Sequence, residues 1–254
     1  MIKKNAILPL VLMAAGRSNR MGVLTYAQPK PLLIFFDKPL LEYFLERAID
    51  AGVKNLIIIV GYRAEQIKKF VKTTFKSKLN VTFIDNDQYD TTNNLYSLYL
   101  ARKILKGRSF LLCNADIMVN KKIIIDLIKN DENSTIAVDI VQKRKKIDSP
   151  GVLIKDNKIY DLGRHISRFQ NDGYAIGIYK FNAELSNAFF KKAEIMLRNN
   201  IKTAFHDPLL ELFKDYSVYA YDTHELSWTD VDRPEEISKM KKTIQKIIKE
   251  ERKK

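Results

Sequence analysis

The sequence predicts an α/β chain built on a mixed, mainly parallel β-sheet with helices on both faces. Three observations predict it. Strand-length apolar runs alternate with stretches whose apolar residues recur at helical spacing. Some of those runs, Leu56–Val60 for one, are unbroken by polar residues, as in strands buried on both faces. Gly16, Gly52 and Gly61 fall where one kind of pattern hands over to the other.

The elements follow in order. The first strand is expected over roughly Ile7–Met13. Pro39 then opens a helix with Leu40, Leu41, Phe44, Leu45, Ala48 and Ile49 along one face, and Gly52 ends it. After the Leu56–Val60 strand, Gly61-Tyr62 turns into a helix with Ile67, Phe70 and Val71 inward, and Val81–Ile84 is a third strand. Asp85–Asn94 is polar and turn-rich. A helix from about Leu95 to Leu105 precedes a strand at Phe110–Cys113 that ends in Asn114-Ala115-Asp116. A helix near Lys121–Asn130 and a strand near Thr135–Val141 follow. Residues 142–172 break the alternation; strand candidates at Val152–Lys155 and Lys158–Leu162 make them a β-rich insertion covering the sheet. Then come a strand at Tyr174–Phe181, helices at Ala183–Arg198 and Asp207–Phe213, a strand at Ser217–Tyr221 and a basic helix over about 234–254.

The bulk numbers bound the function. With 254 residues, the chain is read as one domain over 1–254 with a substantial core. A content of 46% hydrophobic and 29% charged residues is that of a soluble globular protein. No apolar run approaches the ~20 residues that span a bilayer. Lys3-Lys4 followed by Ala6–Ala15 imitates a secretory signal, yet cleavage there would destroy the loop described next. Cys113 is the single cysteine, which excludes an internal disulfide and fits a reducing, cytoplasmic setting. The net charge of +14 comes mostly from Lys143-Arg144-Lys145-Lys146 and from Lys239–Lys254. Both read as solvated surfaces; no nucleic-acid-binding motif accompanies them, so no nucleic-acid partner is expected. Ile237, Met240, Ile244, Ile247 and Ile248 line one face of the last helix, which docks either on the chain's own core or on a second copy as a homodimer.

Residues 11–33 carry the strongest functional signal. A buried strand ends in Ala14, Ala15 and Gly16, small residues that let backbone N–H groups approach an anion, and Arg17, Arg20 and Lys30 supply fixed cations. That is a device for holding phosphates. The run Met13-Ala14-Ala15-Gly16-Arg17-Ser18-Asn19-Arg20-Met21, with Pro29-Lys30-Pro31-Leu32, resembles the L-A-A-G-x-G-x-R-M and P-K-x-L signature of nucleotidyltransferases of the sugar-nucleotide pyrophosphorylase type. Met13 stands for the usual leucine, and Ser18 for the second glycine. The resemblance implies a Rossmann-like, GT-A-like nucleotidyltransferase fold.

By charge, backbone amides near Ala15–Asn19 would hold the β- and γ-phosphates of a nucleoside triphosphate, while Arg20 and Lys30 neutralise the α-phosphate in the transition state. Asp116, just past a buried strand, and Asp232 would together hold Mg²⁺, a hard cation that takes oxygen ligands. The resemblance supports both aspartates. Its acidic C-terminal pattern reads Asp230-Val231-Asp232-Arg233-Pro234-Glu235-Glu236 here, with Asp230 in the place of a glutamate. Asp232 also reads as a charge placed at a helix start.

The segment Asn93-Asn94-Leu95-Tyr96-Ser97-Leu98-Tyr99 resembles the N-N-x-Y-S-L-Y run of bacterial CTP:phosphocholine cytidylyltransferases and their relatives. Asn94 and Ser97 share a helix face that would read a base edge, while Asn93 reads equally as a helix cap. Gly177, within Tyr174-Ala175-Ile176-Gly177-Ile178-Tyr179-Lys180-Phe181, extends the likeness. Tyr174 and Trp228 are candidates for an aromatic face toward a quaternary ammonium, or are core residues. His165, His206 and His224 show no zinc or triad spacing. The expectation is a Mg²⁺-dependent cytidylyltransferase that joins CTP to a phosphocholine-like phosphorylated alcohol and releases pyrophosphate. Inositol 1-phosphate, 2-aminoethylphosphonate and sugar phosphates with UTP or dTTP are alternative substrates. A catalytically silent nucleotide-binding regulator is the alternative outside enzymes.

Overall fold

A computed structural model describes residues 8–130, 133–140 and 149–252. Ile7, Val141 and the basic run Lys143–Lys146 lie outside the described residues. The chain opens with β1 (Leu10–Ala14), a 3₁₀ segment Asn19–Thr25 and a 3₁₀ turn Lys30–Leu32. A small hairpin, β2 (Ile34–Phe35) and β3 (Lys38–Pro39), leads to α1 (Leu40–Asp50). Then follow β4 (Asn55–Val60), α2 (Ala64–Phe75), β5 (Asn80–Asp85), α3 (Asn94–Leu100) and α4 (Arg102–Leu105). The expected Leu95–Leu105 helix is thus two pieces broken at Ala101, whose ψ of −2° lies outside the α range. The middle of the chain is β6 (Phe110–Asn114), β7 (Ile117–Val119), α5 (Lys121–Lys129) and β8 (Ser134–Asp139). The rest is β9 (Gly151–Lys155), β10 (Lys158–Gly163), β11 (Gly173–Phe181), α6 (Ala183–Asn199), α7 (His206–Leu212), β12 (Val218–Asp222), β13 (Trp228–Asp230), a 3₁₀ turn Pro234–Glu236 and α8 (Ile237–Arg252).

Among the described residues, nine strands form one sheet in the order β5-β4-β1-β6-β11-β8-β12-β10-β9. The first four are parallel, which aligns the carboxyl ends of β1, β4 and β6 on one rim, with Ala14 opposite Val60 and Met13 opposite Asn114. Ligands of open α/β sheets bind at such rims. The second half makes the sheet mixed, as expected: β11 runs antiparallel to β6 and β8, β10 antiparallel to β9 and β12, and β12 parallel to β8. The insertion therefore does not lie over the sheet as expected. Its two strands hydrogen-bond into the sheet, and β9 also reaches back to β11.

Alternate residues of each central strand face opposite cores. Leu10, Leu12, Leu56 and Ile58 pack with Phe44, Ile67 and Val71 on one side. Val11, Ile57 and Ile59 pack with Leu95, Phe189 and Leu209 on the other. A third cluster joins Met21, Leu33, Phe35 and Val231 to Met240, Ile244 and Ile247 of α8. The apolar face of α8 is thus used on the chain's own core. Burying each such side chain is worth about 1.5–3 kcal/mol relative to leaving it in water. Arg47 pairs with Glu251 at 3.1 Å, and Asn120 with Glu250 at 3.0 Å, fixing the helix's far end. Among the described residues no helix is long and apolar enough to cross a membrane.

Candidate active site

The site begins where β1 ends. Ser18 follows with φ +58°, a left-handed conformation that costs a non-glycine residue about 1–2 kcal/mol, at the position where the resembled signature has glycine. The loop is tied to the neighbouring strand end. Tyr62 N–H donates to Ala15 O at 2.9 Å, and its hydroxyl is shared between the carbonyls of Thr25 and Tyr26, each at 2.9 Å.

Asp116 and Asp232 are brought together by a short antiparallel ladder. β13 pairs with β7, setting Asp230 opposite Ile117, and Val231 N–H donates to Asp116 O at 3.2 Å. Glu236 then accepts from the N–H groups of Asp232 and Arg233, at 2.6 and 2.9 Å, and so holds the backbone that carries the Asp232 carboxylate. Lys30 arrives from the opposite direction. Its ammonium lies 2.5 Å from Asp116 Oδ2 and 2.8 Å from Asp232 Oδ1, and Arg20 reaches Asp232 Oδ2 at 2.8 Å.

The charges shift one another. Burial alone would lower the Lys30 pKa, but Asp116 and Asp232 outweigh it and hold it above its usual value. Burial would raise Asp232, yet Lys30, Arg20 and Arg164 keep its pKa low. Among the described residues no ion pair holds Asp230. Burial first, then the charges of Asp116 and Asp232, push it up to about 6, with Lys239 opposing.

These groups face a cleft of about 670 Å³. Of the residues expected to bind, Ala15, Gly16, Ser18, Arg20, Lys30, Asn93, Asn94, Ser97, Asp116, Gly177, Asp230 and Asp232 line it. Ala14 does not; it is the last residue of β1 and lies in the core. Arg17 and Asn19 line a separate, smaller cavity, with the Arg17 guanidinium 5.7 Å from the Tyr62 ring centre.

The polar groups of α3 that line the cleft also hold the surrounding chain. Asn93 Oδ1 accepts from Asn94 N–H at 2.8 Å as the helix cap, and its amide donates to Lys202 O. Asn94 Oδ1 accepts from Phe205 N–H at 2.8 Å, and Ser97 Oγ accepts from Asn86 Nδ2 at 2.9 Å. These polar atoms therefore build the wall of the cleft.

The ammonium face is likewise not formed. Trp228 is 8% exposed, packs in the core and donates its indole N–H to Asp139 at 2.6 Å. Tyr174 is 3% exposed, and neither ring lines the cleft. Gly177 does, at φ +85°. A Cβ there would meet Asn114 Nδ2 at 2.8 Å, so only glycine fits this bend of β11. Cys113 is fully buried and its thiol is pushed up by burial, which leaves it inert. Sequence reasoning missed Asn114, Arg164, Tyr179 and Phe205, which also line the cleft. They sit on separate strands and loops, with no local spacing to reveal them.

A family model described as Nucleotidyl transferase matches residues 10–247, from β1 through most of α8. The chain belongs to the nucleotidyl transferase family. The mannose-1-phosphate guanylyltransferase catalytic subunit beta of Drosophila melanogaster is 28% identical over 233 residues, 89% of this chain and 60% of that protein. The choline-phosphate cytidylyltransferase of Streptococcus pneumoniae is 39% identical over 95 residues, 37% of this chain and 39% of that protein. The solved CTP:phosphocholine cytidylyltransferase of Streptococcus pneumoniae superposes with a TM-score of 0.77 at 22% identity, covering 93% of this chain and 99% of that one. That likeness is one of fold, and it makes the sheet a Rossmann-like nucleotidyltransferase sheet. The chain spans 51–61% of the length of the curated relatives that match most of it.

Asp230 makes one expectation about this family member testable by pH. Its folded pKa of about 6 exceeds the unfolded value of 3.8, so the native state loses stability as pH rises through that interval. Asp230→Asn is therefore expected to stabilise the metal-free protein increasingly between pH 4 and pH 8. The gain approaches, and does not exceed, about 3 kcal/mol at 1.36 kcal/mol per pKa unit. Thermal midpoints of both proteins across that range check it; a difference independent of pH contradicts it.

Proposed function

We propose that this chain transfers CMP from CTP to a small phosphorylated alcohol and releases pyrophosphate, with Mg²⁺ as cofactor. The observation that carries the reading is the meeting of Lys30, Asp116 and Asp232 at one point beside the Gly16 loop, from segments 86 and 202 residues apart. The cytidylyl assignment leans on the Asn93–Tyr99 run and on the partial match to a choline-phosphate cytidylyltransferase.

The metal requirement is compatible with the donors present. Among the described residues no group of three or more His, Cys, Asp and Glu side chains forms a protein-only metal cage. Two carboxylates already share one cation, the Lys30 ammonium, through Asp116 Oδ2 and Asp232 Oδ1. That suits Mg²⁺, which is commonly held by one or two carboxylates together with substrate phosphates and water. Asp116 and Asp232 would hold it, and it would supply charge neutralisation at the phosphate oxygens.

In the transfer, an oxygen of the acceptor phosphate attacks the α-phosphorus of CTP. A new P–O bond forms, the bond to the β-phosphate breaks, and pyrophosphate takes the electron pair. A phosphomonoester has its second pKa near about 6, so the nucleophile is already an anion and no general base is needed. The residues present agree with this: the cleft offers cations and carboxylates. An ammonium has three N–H donors; Lys30 uses two on the carboxylates and has a third for a phosphate oxygen. The work left to the protein is positioning and electrostatic stabilisation.

Pyrophosphate release measured for CTP, UTP, dTTP and GTP against a panel of phosphorylated alcohols and sugar phosphates tests the reading. The expected result is CTP-dependent release. Release with another triphosphate and none with CTP overturns the base assignment. Calorimetric binding of CTP with Mg²⁺ but no release with any acceptor overturns the enzymatic reading in favour of a nucleotide-binding regulator.

A further inference from the structure

The cleft extends well beyond the Lys30–Asp116–Asp232 cluster. Part of its wall is made by Tyr179 from β11 and by Phe205 and His206 where α7 begins. Tyr179 Oη and His206 Nε2 are hydrogen-bonded at 2.9 Å. Phe205 packs against both rings, with centroids 4.9 and 5.1 Å away, and its N–H is held by Asn94 of α3. The pair is therefore braced from three elements.

Both members are neutral. Burial pushes the Tyr179 phenol up, and burial together with the Arg164 charge pushes His206 down to about 4. Arg164 also lines the cleft, and its charge acts on both His206 and Asp232. Asp207, the next carboxylate along the chain, turns Oδ2 to Ala204 N–H at 2.9 Å.

A neutral phenol and a neutral imidazole that share one hydrogen bond still have donor and acceptor capacity between them. A hydroxyl group satisfies that capacity. A quaternary ammonium has neither an N–H nor a lone pair to offer, and the neighbouring Arg164 charge opposes it. We propose that Tyr179 and His206 are the acceptor-recognition pair of this cleft, and that they take a hydroxyl of a polyol phosphate whose phosphate points toward Arg164 and Lys30. The proposal rests on the transfer reaction proposed above and narrows its acceptor to hydroxyl-rich phosphates.

The test is steady-state pyrophosphate release with CTP and three acceptors: glycerol 3-phosphate, inositol 1-phosphate and phosphocholine. At least one polyol phosphate is expected to exceed phosphocholine in kcat/KM by about tenfold or more, the factor that corresponds to the net worth of one hydrogen bond. Tyr179→Phe, which preserves the ring, and His206→Ala are each expected to raise the polyol phosphate KM about tenfold while leaving kcat and the KM for CTP nearly unchanged, as for lost uniform binding. His206→Gln keeps an amide in reach and is expected to recover part of the loss. Circular dichroism confirms that each variant is folded. Equal or faster turnover of phosphocholine, or an unchanged polyol phosphate KM in folded Tyr179→Phe and His206→Ala, overturns this proposal and leaves the transfer reaction standing. Silence with every acceptor overturns the transfer reaction and this proposal together.

Discussion

Lys30→Met is expected to lower CDP-product formation by about 10³-fold or more, the range seen when a fixed cation at a transferring phosphoryl group is removed. Methionine roughly keeps the length and packing of the stem, so what is lost is the charge. That charge has two tasks here. It would face the α-phosphorus as negative charge builds, and it separates two carboxylates that otherwise repel. Asp116→Ala is expected to be comparably severe. It removes a carboxylate that binds Lys30 at 2.5 Å and that would hold the metal.

The two variants differ in stability. Without Lys30, Asp116, Asp230 and Asp232 are left together with Arg20 on one side. Removing one partner of a buried ion pair costs about 3–5 kcal/mol. The lower end applies because Asp116 and Asp232 keep 23% and 16% of their side-chain surface exposed. The repelling carboxylates would bind protons more readily folded than unfolded, so the deficit of Lys30→Met should shrink as the pH falls. A divalent cation should raise its Tm more than that of the unaltered protein. Asp116→Ala should cost less, because Lys30 keeps Asp232 at 2.8 Å. Pyrophosphate release at 25 °C, with thermal melts at pH 5 and pH 8, checks both; near-normal turnover in either variant contradicts the assigned roles.

The parts of this site that could be read from the sequence are those carried by contiguous runs. The strand, small residues and cations of 10–30 lie within one stretch; Ala15, Gly16, Ser18, Arg20 and Lys30 of it line the cleft, while Arg17 and Asn19 line a separate cavity. The meeting of Asp116 with Asp232 is different in kind. Its physical cause is the β7–β13 ladder, two strands of three residues each. Ile117-Met118-Val119 is too short to show a period, and its partner lies more than a hundred residues later. Trp228 looked available as an aromatic face because its buried partner, Asp139, is 89 residues away. The Tyr179–His206 pair joins a strand to a helix across 27 residues, and no spacing marks it. The α8 face was legible as apolar from Met240, Ile244 and Ile247, but periodicity says that a face is buried and not what covers it. The antiparallel turn of β11 left no trace either, because a fully buried strand reads the same in both directions.

Gly61→Ala is expected to lower activity through the backbone. A Cβ at Gly61 would stand 2.7 Å from Ala15 O and 2.7 Å from Tyr89 Cβ. Neither atom is the free end of a flexible chain. Ala15 O is the carbonyl that accepts from Tyr62 N–H, and this bond clips the Gly16 loop to the end of β4. To admit the methyl group, β4 and β1 must separate at the rim, or Tyr89 must leave the cleft wall. Overpacking of this kind costs about 1–3 kcal/mol. The functional loss should be larger than that figure suggests, because displacing a phosphate cradle by about 1 Å can cost 10²-fold in rate. The signature to look for is a fall in kcat/KM for CTP of about that size, with a Tm only a few degrees lower, since the two cores beneath the rim are untouched. A fully active Gly61→Ala protein would mean that Ala15 does not need its present position, and the loop from Ala15 to Lys30 would then have to be rejected as the place where the triphosphate is held.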